Sequence, residues 1–568
     1  MTLINSLVTW ILIMKRIFSL VLFIGLTACN QPQTPQIHSS STESATKIDL
    51  ENNLQAHIEF LADDYLLGRD TGTEQYEIAA RYVASHFKQF DMKPAGNDNT
   101  WFQSVPLVRS SLDKSSVALK IHSDDEISLS YPNEFLIGAN PNSTEDKVTS
   151  KLVFAGYGIN APALNHNDYA NIDVNGKIVV FLSGKPKAFP SELGAHVASG
   201  DEKSRYAAEQ GAIGVISLHT PERDKVRTYE KILPFVGRPS FHWLNQDGTA
   251  AGTQPSLKVG TYLSKEAGLK LFSAAGADLQ AIFDGLAEDK IPQAFDLDIE
   301  VTIQRKSKHE QVKSSNVAGI IEGSDPQLKN EYIVYSAHLD HIGTGGMVKE
   351  DDHINNGALD NASGIAVMLE TARQFALQQA PKRSILFVAV TGEEKGLLGS
   401  EYFAKNPTVP ADAMIANINL DMPLILYPFA DVIAFGSEHS TLDSYVSRAA
   451  EAQGLKLSPD PMPEQNLFVR SDHYSFVKEG VPSIFLVPGF ESKQEGIDGQ
   501  KIFQDFFVQH YHQPSDDTHL EINYEAGATF ARVNYQIGKE IANDSKRPAW
   551  NENNFFGDTF AKKPKELK

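Results

Sequence analysis

The chain has 568 residues, more than one hydrophobic core usually organises, so a large domain and at least one smaller unit are expected. Hydrophobic residues make up 41% and charged residues 22%, the balance of a folded, water-facing protein. Acidic residues number 72 against 51 basic ones, a formal net charge of −21 that repels a phosphate backbone and excludes general nucleic-acid binding.

Lys15 and Arg16 precede an apolar run over residues 17–28, and Cys29, the only cysteine, follows it. The run is shorter than the roughly 20 residues of a membrane-spanning helix and suits the apolar region of a secretory signal. Leu26-Thr27-Ala28-Cys29 resembles a bacterial lipoprotein signal. That resemblance implies a signal peptide over 1–29, a lipidated Cys29 as membrane tether, and export to the cell envelope. Asn30 after the cysteine favours the outer membrane, facing the periplasm. One cysteine allows no disulfide within the chain, so the fold must rest on its core or on metals. Residues 30–47, rich in Gln, Pro, Ser and Thr, read as a flexible tether.

Residues 50–90 show helical periodicity through Leu54, Ile58 and Leu61, then Ala79, Tyr82, Val83 and Phe87. The segment 48–110 is assigned to the start of the catalytic domain. Residues 111–310 change character: short β-rich runs, Lys151–Ala155 and Lys177–Leu182, alternate with Gly and Pro, and 204–218 reads as a helix followed by a strand. This is expected to be a compact β-rich insert. From 311 to 545, strands at Tyr332–Ala337, Ser384–Val390, Ile415–Leu420 and Ser483–Val487 alternate with helical segments such as Gly364–Leu377. The pattern predicts an α/β fold with a mainly parallel mixed sheet sandwiched by helices. Residues 546–568 read as a polar tail with scattered aromatics that wraps the surface or frays.

The chemistry-bearing residues sit at the predicted strand ends. Ala337-His338-Leu339-Asp340-His341 follows the first strand, and Asp360-Asn361-Ala362-Ser363-Gly364 lies just before the amphipathic helix. Thr391-Gly392-Glu393-Glu394 follows the second strand, Asn419-Leu420-Asp421 ends the third, and Tyr511-His512 comes after the fourth. In an open parallel sheet, loops at the carboxyl ends of strands converge on one crevice. Imidazole and carboxylate donors suit zinc, and one shared carboxylate brings two ions within about 4 Å. Asp360 is the natural bridge: one ion takes His338, Asp360 and Asp421, the other Asp360, Glu394 and His512. At a strand-to-turn junction, adjacent Glu393 and Glu394 can both reach the crevice, one as ligand and one as base. Asp340 is placed to orient the His338 imidazole from behind. Cobalt or manganese suits the same donors.

These segments, with Glu393-Glu394-Lys395-Gly396-Leu397-Leu398-Gly399-Ser400 and Arg470-Ser471-Asp472-His473, resemble the di-zinc aminopeptidase family that also includes glutamate carboxypeptidase and the glutaminyl cyclases. The likeness covers roughly 312–545. It extends to Leu66-Leu67-Gly68-Arg69, Lys93-Pro94-Ala95-Gly96 and Trp101-Phe102-Gln103 in the lead-in. The insert resembles a protease-associated domain through Val153–Gly158, Asp168-Tyr169, Gly176–Val179 and Ala207–Ala212. In relatives such inserts pack near the active-site mouth.

The resemblance implies removal of N-terminal residues from peptide substrates. Glu393 would be the general base that takes a proton from the attacking water and returns it to the leaving amine; Asp340 is the other residue assigned to catalysis. It also implies a cis peptide after Asp360, and places Arg470, Asp472 and His473 near the substrate. Some family members carry a Tyr near the oxyanion where Phe468 stands here, which leaves Arg470 or His473 for that role. A glutaminyl cyclase-like transferase, a carboxypeptidase and a metal-free receptor or scaffold are the competing readings.

Overall fold

The computed structural model describes residues 40–345 and 352–562, and from Lys47 onward these form one compact unit. The signal segment, Cys29 and residues 30–39 of the tether lie outside the described residues. Ser40–Leu61 is a single helix (α1), so the last part of the expected flexible tether, 40–47, is helical. Helix α2, Glu74–Gln89, starts where Thr73 Oγ1 accepts the Tyr76 N–H at 3.2 Å. Glu74 and Glu77 in its first turn and His86 and Lys88 in its last complement the helix dipole. Its Tyr76, Ala79, Ala80, Val83 and Phe87 form the buried face, spaced at three and four residues.

The strands that place the site are β1 Phe102–His122, β2 Glu145–Phe154, β3 Ile178–Leu182, β4 Gly214–Leu218, β5 Val259–Leu263, β6 Phe295–Ile321, β7 Tyr332–His338, β8 Ser384–Val390, β9 Met414–Asn419, β10 Asp431–Phe435, β11 Lys456–Ser458 and β12 Ser483–Pro488. Their order across one continuous sheet is β11-β10-β12-β9-β7-β8-β6-β2-β3-β4-β5. Pairs β7–β8, β7–β9 and β9–β12 are parallel, whereas β10 runs antiparallel to β12. Strand β10 has no counterpart among the sequence-predicted strands.

Side chains alternate faces along the central strands, and each face has its own core. Ile333, Tyr335, Ala337, Ile385, Phe387 and Ala389 pack with α1, α2 and two further helices, Ser363–Leu377 (α4) and Tyr524–Asn543 (α5). Val334, Leu386, Val388 and Val390 pack on the other side against Phe403 and Phe476. Full burial of both faces explains why β7 and β8 read as unbroken apolar runs.

The insert has a separate core around Phe154, Val179, Ile216, Leu271 and Phe272. It is not hung on a linker. Strands β1 and β6 form one long antiparallel ribbon, from Phe102↔Val317 to His122↔Glu300, and β6 then pairs with β8 through Val317–Ile321. Both expected insert boundaries, at 111 and 310, therefore fall inside strands. Of the two forms expected for the C-terminal segment, residues 546–562 take the first and pack on the domain. Phe556 is buried with Phe435, Phe468 and Phe485, and Trp550 Nε1 donates to the Gly480 carbonyl at 3.0 Å.

Candidate metal centre

Strands β7, β8 and β9 lie side by side and parallel, so the residues at their carboxyl ends meet. His338 ends β7, Glu393 and Glu394 follow β8, and Asp421 follows β9. His338 Nε2 stands 3.0 Å from Asp421 Oδ1 and 3.3 Å from Asp360 Oδ1. His512 Nε2 stands 3.3 Å from Asp360 Oδ2 and 3.1 Å from Glu394 Oε2. The two oxygens of Asp360 thus face two different histidine–carboxylate groups. All five sequence-predicted ligands converge.

The surrounding backbone holds Asp360 in place. The peptide between Asp360 and Asn361 is cis. Asn361 Nδ2 donates to the Leu420 carbonyl at 2.9 Å, and its Oδ1 accepts from Gly364 and Met422 N–H. A Cβ at Gly364 would meet Asn361 Oδ1 at 2.0 Å, so only glycine leaves room for that amide. Asp421 accepts the Ser471 hydroxyl on Oδ2 at 2.5 Å, leaving Oδ1 for His338.

Asp340 acts differently from expectation. Its backbone carbonyl, not its carboxylate, faces His338 Nδ1, at 3.1 Å. The carboxylate accepts the Thr71 hydroxyl at 3.0 Å and the backbone N–H groups of Glu393 and Glu394 at 3.2 and 3.3 Å. Asp340 is therefore a positioning residue for the Glu-Glu turn. Arg470 lines the cavity over the site as expected, but Asp472 and His473 do not; both are fully buried behind its wall. His473 packs between the rings of Phe468 and Phe485, where burial lowers its pKa to about 3, and its place outside the cavity lining keeps it from an oxyanion there. Phe468 is buried too, packed so closely on Gly436 that a Cβ there would meet its ring at 2.1 Å.

Residues 316–537 match the family model described as Peptidase family M28, and residues 148–257 match the PA domain model. Residues 316–537 are thus similar to an M28 peptidase domain. In fold the chain is similar to an aminopeptidase from Aneurinibacillus sp. strain AM-1, at 22% identity and a TM-score of 0.50, with 88% of this chain and 95% of that one covered. Curated relatives are local matches. A probable zinc metalloprotease of Pyrenophora teres f. teres is 37% identical over 111 residues, 20% of this chain and 23% of that protein. One from Pyricularia oryzae is 40% identical over 109 residues, 19% of this chain and 21% of that protein. The matched segment thus spans less than a quarter of either relative.

The donor set suits divalent cations. Asp340, Asp360, Asp421, Asp472 and Asp516 are buried around the cluster, with Glu393 and Glu394 beside them. Burying that much negative charge demands compensation. Within the cluster, His338, Asp360 and Asp421 present ligand atoms within 4.8 Å of one another, as do His341, Asp360 and Glu394. That spacing suits donors about 2 Å from a common ion. Burial alone would lower His338, but Asp421, Asp360 and Glu393 raise it well above its ordinary value. Burial likewise opposes the charge on Glu394, yet His341 and His512 hold its pKa down at about 2.

Glu393 stands apart from the ligands. Burial, followed by the charges of Glu394, Asp421 and Asp472, raises its pKa well above the usual carboxylate range, against the pull of His338. It lines a cavity of about 480 Å³ together with His338, Asp360 and Asp421. The cavity walls are largely apolar, including Met422, Phe435, Met462, Phe485, Phe503 and Tyr511. Tyr511 stacks on His512 at 3.9 Å between ring centroids. Burial and the nearby acids push its phenol far above its ordinary value.

Several contributors have no role assigned from the sequence. Ser471, Thr71 and Asp516 act through contacts to residues 50, 269 and 156 positions away. Arg69 closes the Leu66–Arg69 lead-in segment, and the sequence assigns it no role either. Its buried guanidinium donates to the carbonyls of Leu339 and Gly357, at 3.0 and 3.1 Å, tying the lead-in segment to the loops that carry His338 and Asp360.

Proposed function

We propose that this chain is a two-zinc aminopeptidase. The observation that carries the reading is Asp360, whose two carboxylate oxygens face His338 and His512 separately. One ion would be held by His338, Asp360 and Asp421, the other by Asp360, Glu394 and His512. When bound, a zinc pair makes water a better nucleophile and polarises a carbonyl. Glu393 lines the cavity without joining either ligand group, and takes the proton of the attacking water and delivers it to the leaving amine. The Tyr511 hydroxyl stays protonated and donates to the oxygen that gains charge. The apolar cavity favours a bulky hydrophobic residue at the cleaved end.

Arg470, the only Lys or Arg among the described residues lining this cavity, is the observation that favours a second reading, a carboxypeptidase that pairs the C-terminal carboxylate. Aminoacyl amides and N-blocked peptides, assayed with metal content on the same sample, separate the two. Cleavage confined to free N-termini by a two-zinc sample supports the aminopeptidase. Cleavage of N-blocked peptides from their C-terminus overturns it. Anchoring through Cys29 is part of the proposal, supported by Leu26-Thr27-Ala28-Cys29 alone. Radiolabelled fatty acid incorporated by the wild type and not by Cys29→Ala tests it.

A further inference from the structure

His341 is three residues beyond His338, on the loop that leaves β7, and is fully buried. Its Nδ1 stands 2.8 Å from Glu394 Oε1 and 3.9 Å from Asp360 Oδ2. The close contact is not a hydrogen bond: neither ring nitrogen has a hydrogen-bond partner, and neither has Glu394 Oε1. Buried polar atoms are nearly always paired, and leaving one unpaired costs about 1–3 kcal/mol. Here three gather beside two carboxylates.

The backbone is built around this ring. Gly357 adopts φ 62°, and a Cβ there would meet His341 Cγ and Cδ2 at 2.7 Å. The Gly357 carbonyl is held by Arg69 Nη2, and the His341 N–H reaches the Arg69 carbonyl at 3.4 Å. Loop and ring are locked together from both sides, with Nδ1 toward the carboxylates.

We propose that His341 is a fourth protein ligand of the second metal position, joining Asp360, Glu394 and His512 through Nδ1. The inference rests on the two-ion reading above. It makes the two positions chemically unequal. The first offers one imidazole, His338, and the carboxylates of Asp360 and Asp421. The second offers two imidazoles. Imidazole favours zinc and its later transition-metal neighbours, whereas carboxylate-rich sites suit manganese and magnesium. The second position therefore fills first and holds zinc more tightly, and the first exchanges its ion more readily.

The test titrates metal-free protein with Zn²⁺ against a chromophoric chelator, and with Co²⁺ while recording its visible absorption. The wild type is expected to show a tight and a weaker class of one ion each. His341→Ala should weaken the tight class at least about tenfold, the scale of losing even an indirect partner, and alter the spectrum of the first cobalt bound. The weaker class should be unchanged, which also reports an intact fold. Two unchanged classes in His341→Ala overturn the proposal. If that variant loses both classes, His341→Asn decides, because the asparagine amide can replace an Nδ1–H donor but not an imidazole ligand. Loss of the tight class alone in His341→Asn supports ligation. Wild-type affinity and spectrum in His341→Asn overturn it and make the ring a hydrogen-bond donor to Glu394. A wild type that binds fewer than two ions overturns the two-ion reading itself, and this inference with it.

Discussion

Asp516 holds Asp360 from behind: its Oδ2 accepts the Asp360 backbone N–H at 3.0 Å, and its Oδ1 accepts that of Leu359 at 2.9 Å. The bridge is thereby fixed at its main chain, while both of its own oxygens remain free to face the histidines. Replacing Asp516 with Ala should lower the affinity for both ions by about 10–100-fold, since one carboxylate serves both positions. Asp516→Asn keeps one acceptor and should lose less. Metal content after dialysis against a graded chelator checks the order. Equal loss in both variants would contradict it.

Glu393→Gln removes the proton acceptor but leaves every proposed ligand untouched. The rate constant kcat should fall by about 10²–10⁴-fold while two equivalents of zinc remain. Steady-state kinetics and metal analysis on one sample check this. Loss of zinc in the variant would move Glu393 into the ligand set.

Metal binding should release protons. Burial lowers the pKa of His512, but Asp360 and Glu394 outweigh it and raise it to about 10. In the metal-free chain this stabilisation is fully present below the ordinary 6.5 and is lost as the pH rises through about 10. A metal needs the neutral ring, so its apparent affinity should rise with pH over the same window. Calorimetry at pH 8 in buffers of different ionisation heat should report at least one proton released per protein. A pH-independent affinity would contradict this.

Lys203 lies in the insert, buried, with its Nζ donating to the Leu182 and Gly184 carbonyls at 2.9 and 2.7 Å. Burial lowers its pKa from 10.5 to about 7. Between those values the unfolded chain binds the proton more tightly, so stability should rise with pH across that window by a few kcal/mol. The neutral amine still satisfies both carbonyls. Denaturant unfolding at several pH values, wild type against Lys203→Met, checks the slope, which the variant should flatten.

The insert touches the wall of the cavity. On the helix Ser191–Val197 (α3), Ser191 Oγ donates to Asn466 Oδ1 at 2.7 Å, Glu192 Oε2 lies 2.6 Å from His439 Nε2, and His196 Nδ1 lies 2.7 Å from the Tyr474 hydroxyl. Asn466 sits on the loop that carries the cavity-lining Met462, Glu464, Gln465 and Leu467. Ser191→Ala combined with Glu192→Ala should loosen that loop, raising KM several-fold with kcat little changed and widening the range of peptide lengths cleaved. An unchanged KM and length profile would leave the insert without a part in substrate selection. Point changes suit this test better than deletion, because the β1–β6 ribbon joins both units.

Residues whose roles follow from local pattern were legible in the sequence. The unbroken apolar runs of β7, β8 and β9 marked a sheet covered on both faces, and their carboxyl ends brought His338, Glu394 and Asp421 to one crevice. Asp360 and His512 were legible because their segments carry recognisable donors in turns. Tertiary structure decided what depends on orientation and distance. It turned the Asp340 carboxylate away from His338 and onto the Glu393–Glu394 turn, and sank Asp472 and His473 behind the cavity wall. It also brought Asp516 under Asp360 from 156 positions away and set the His341 ring against Glu394. The composition of a strand end says which donors are available. The direction each one points is set by packing between segments far apart in the chain, and that packing leaves no periodic trace in the sequence.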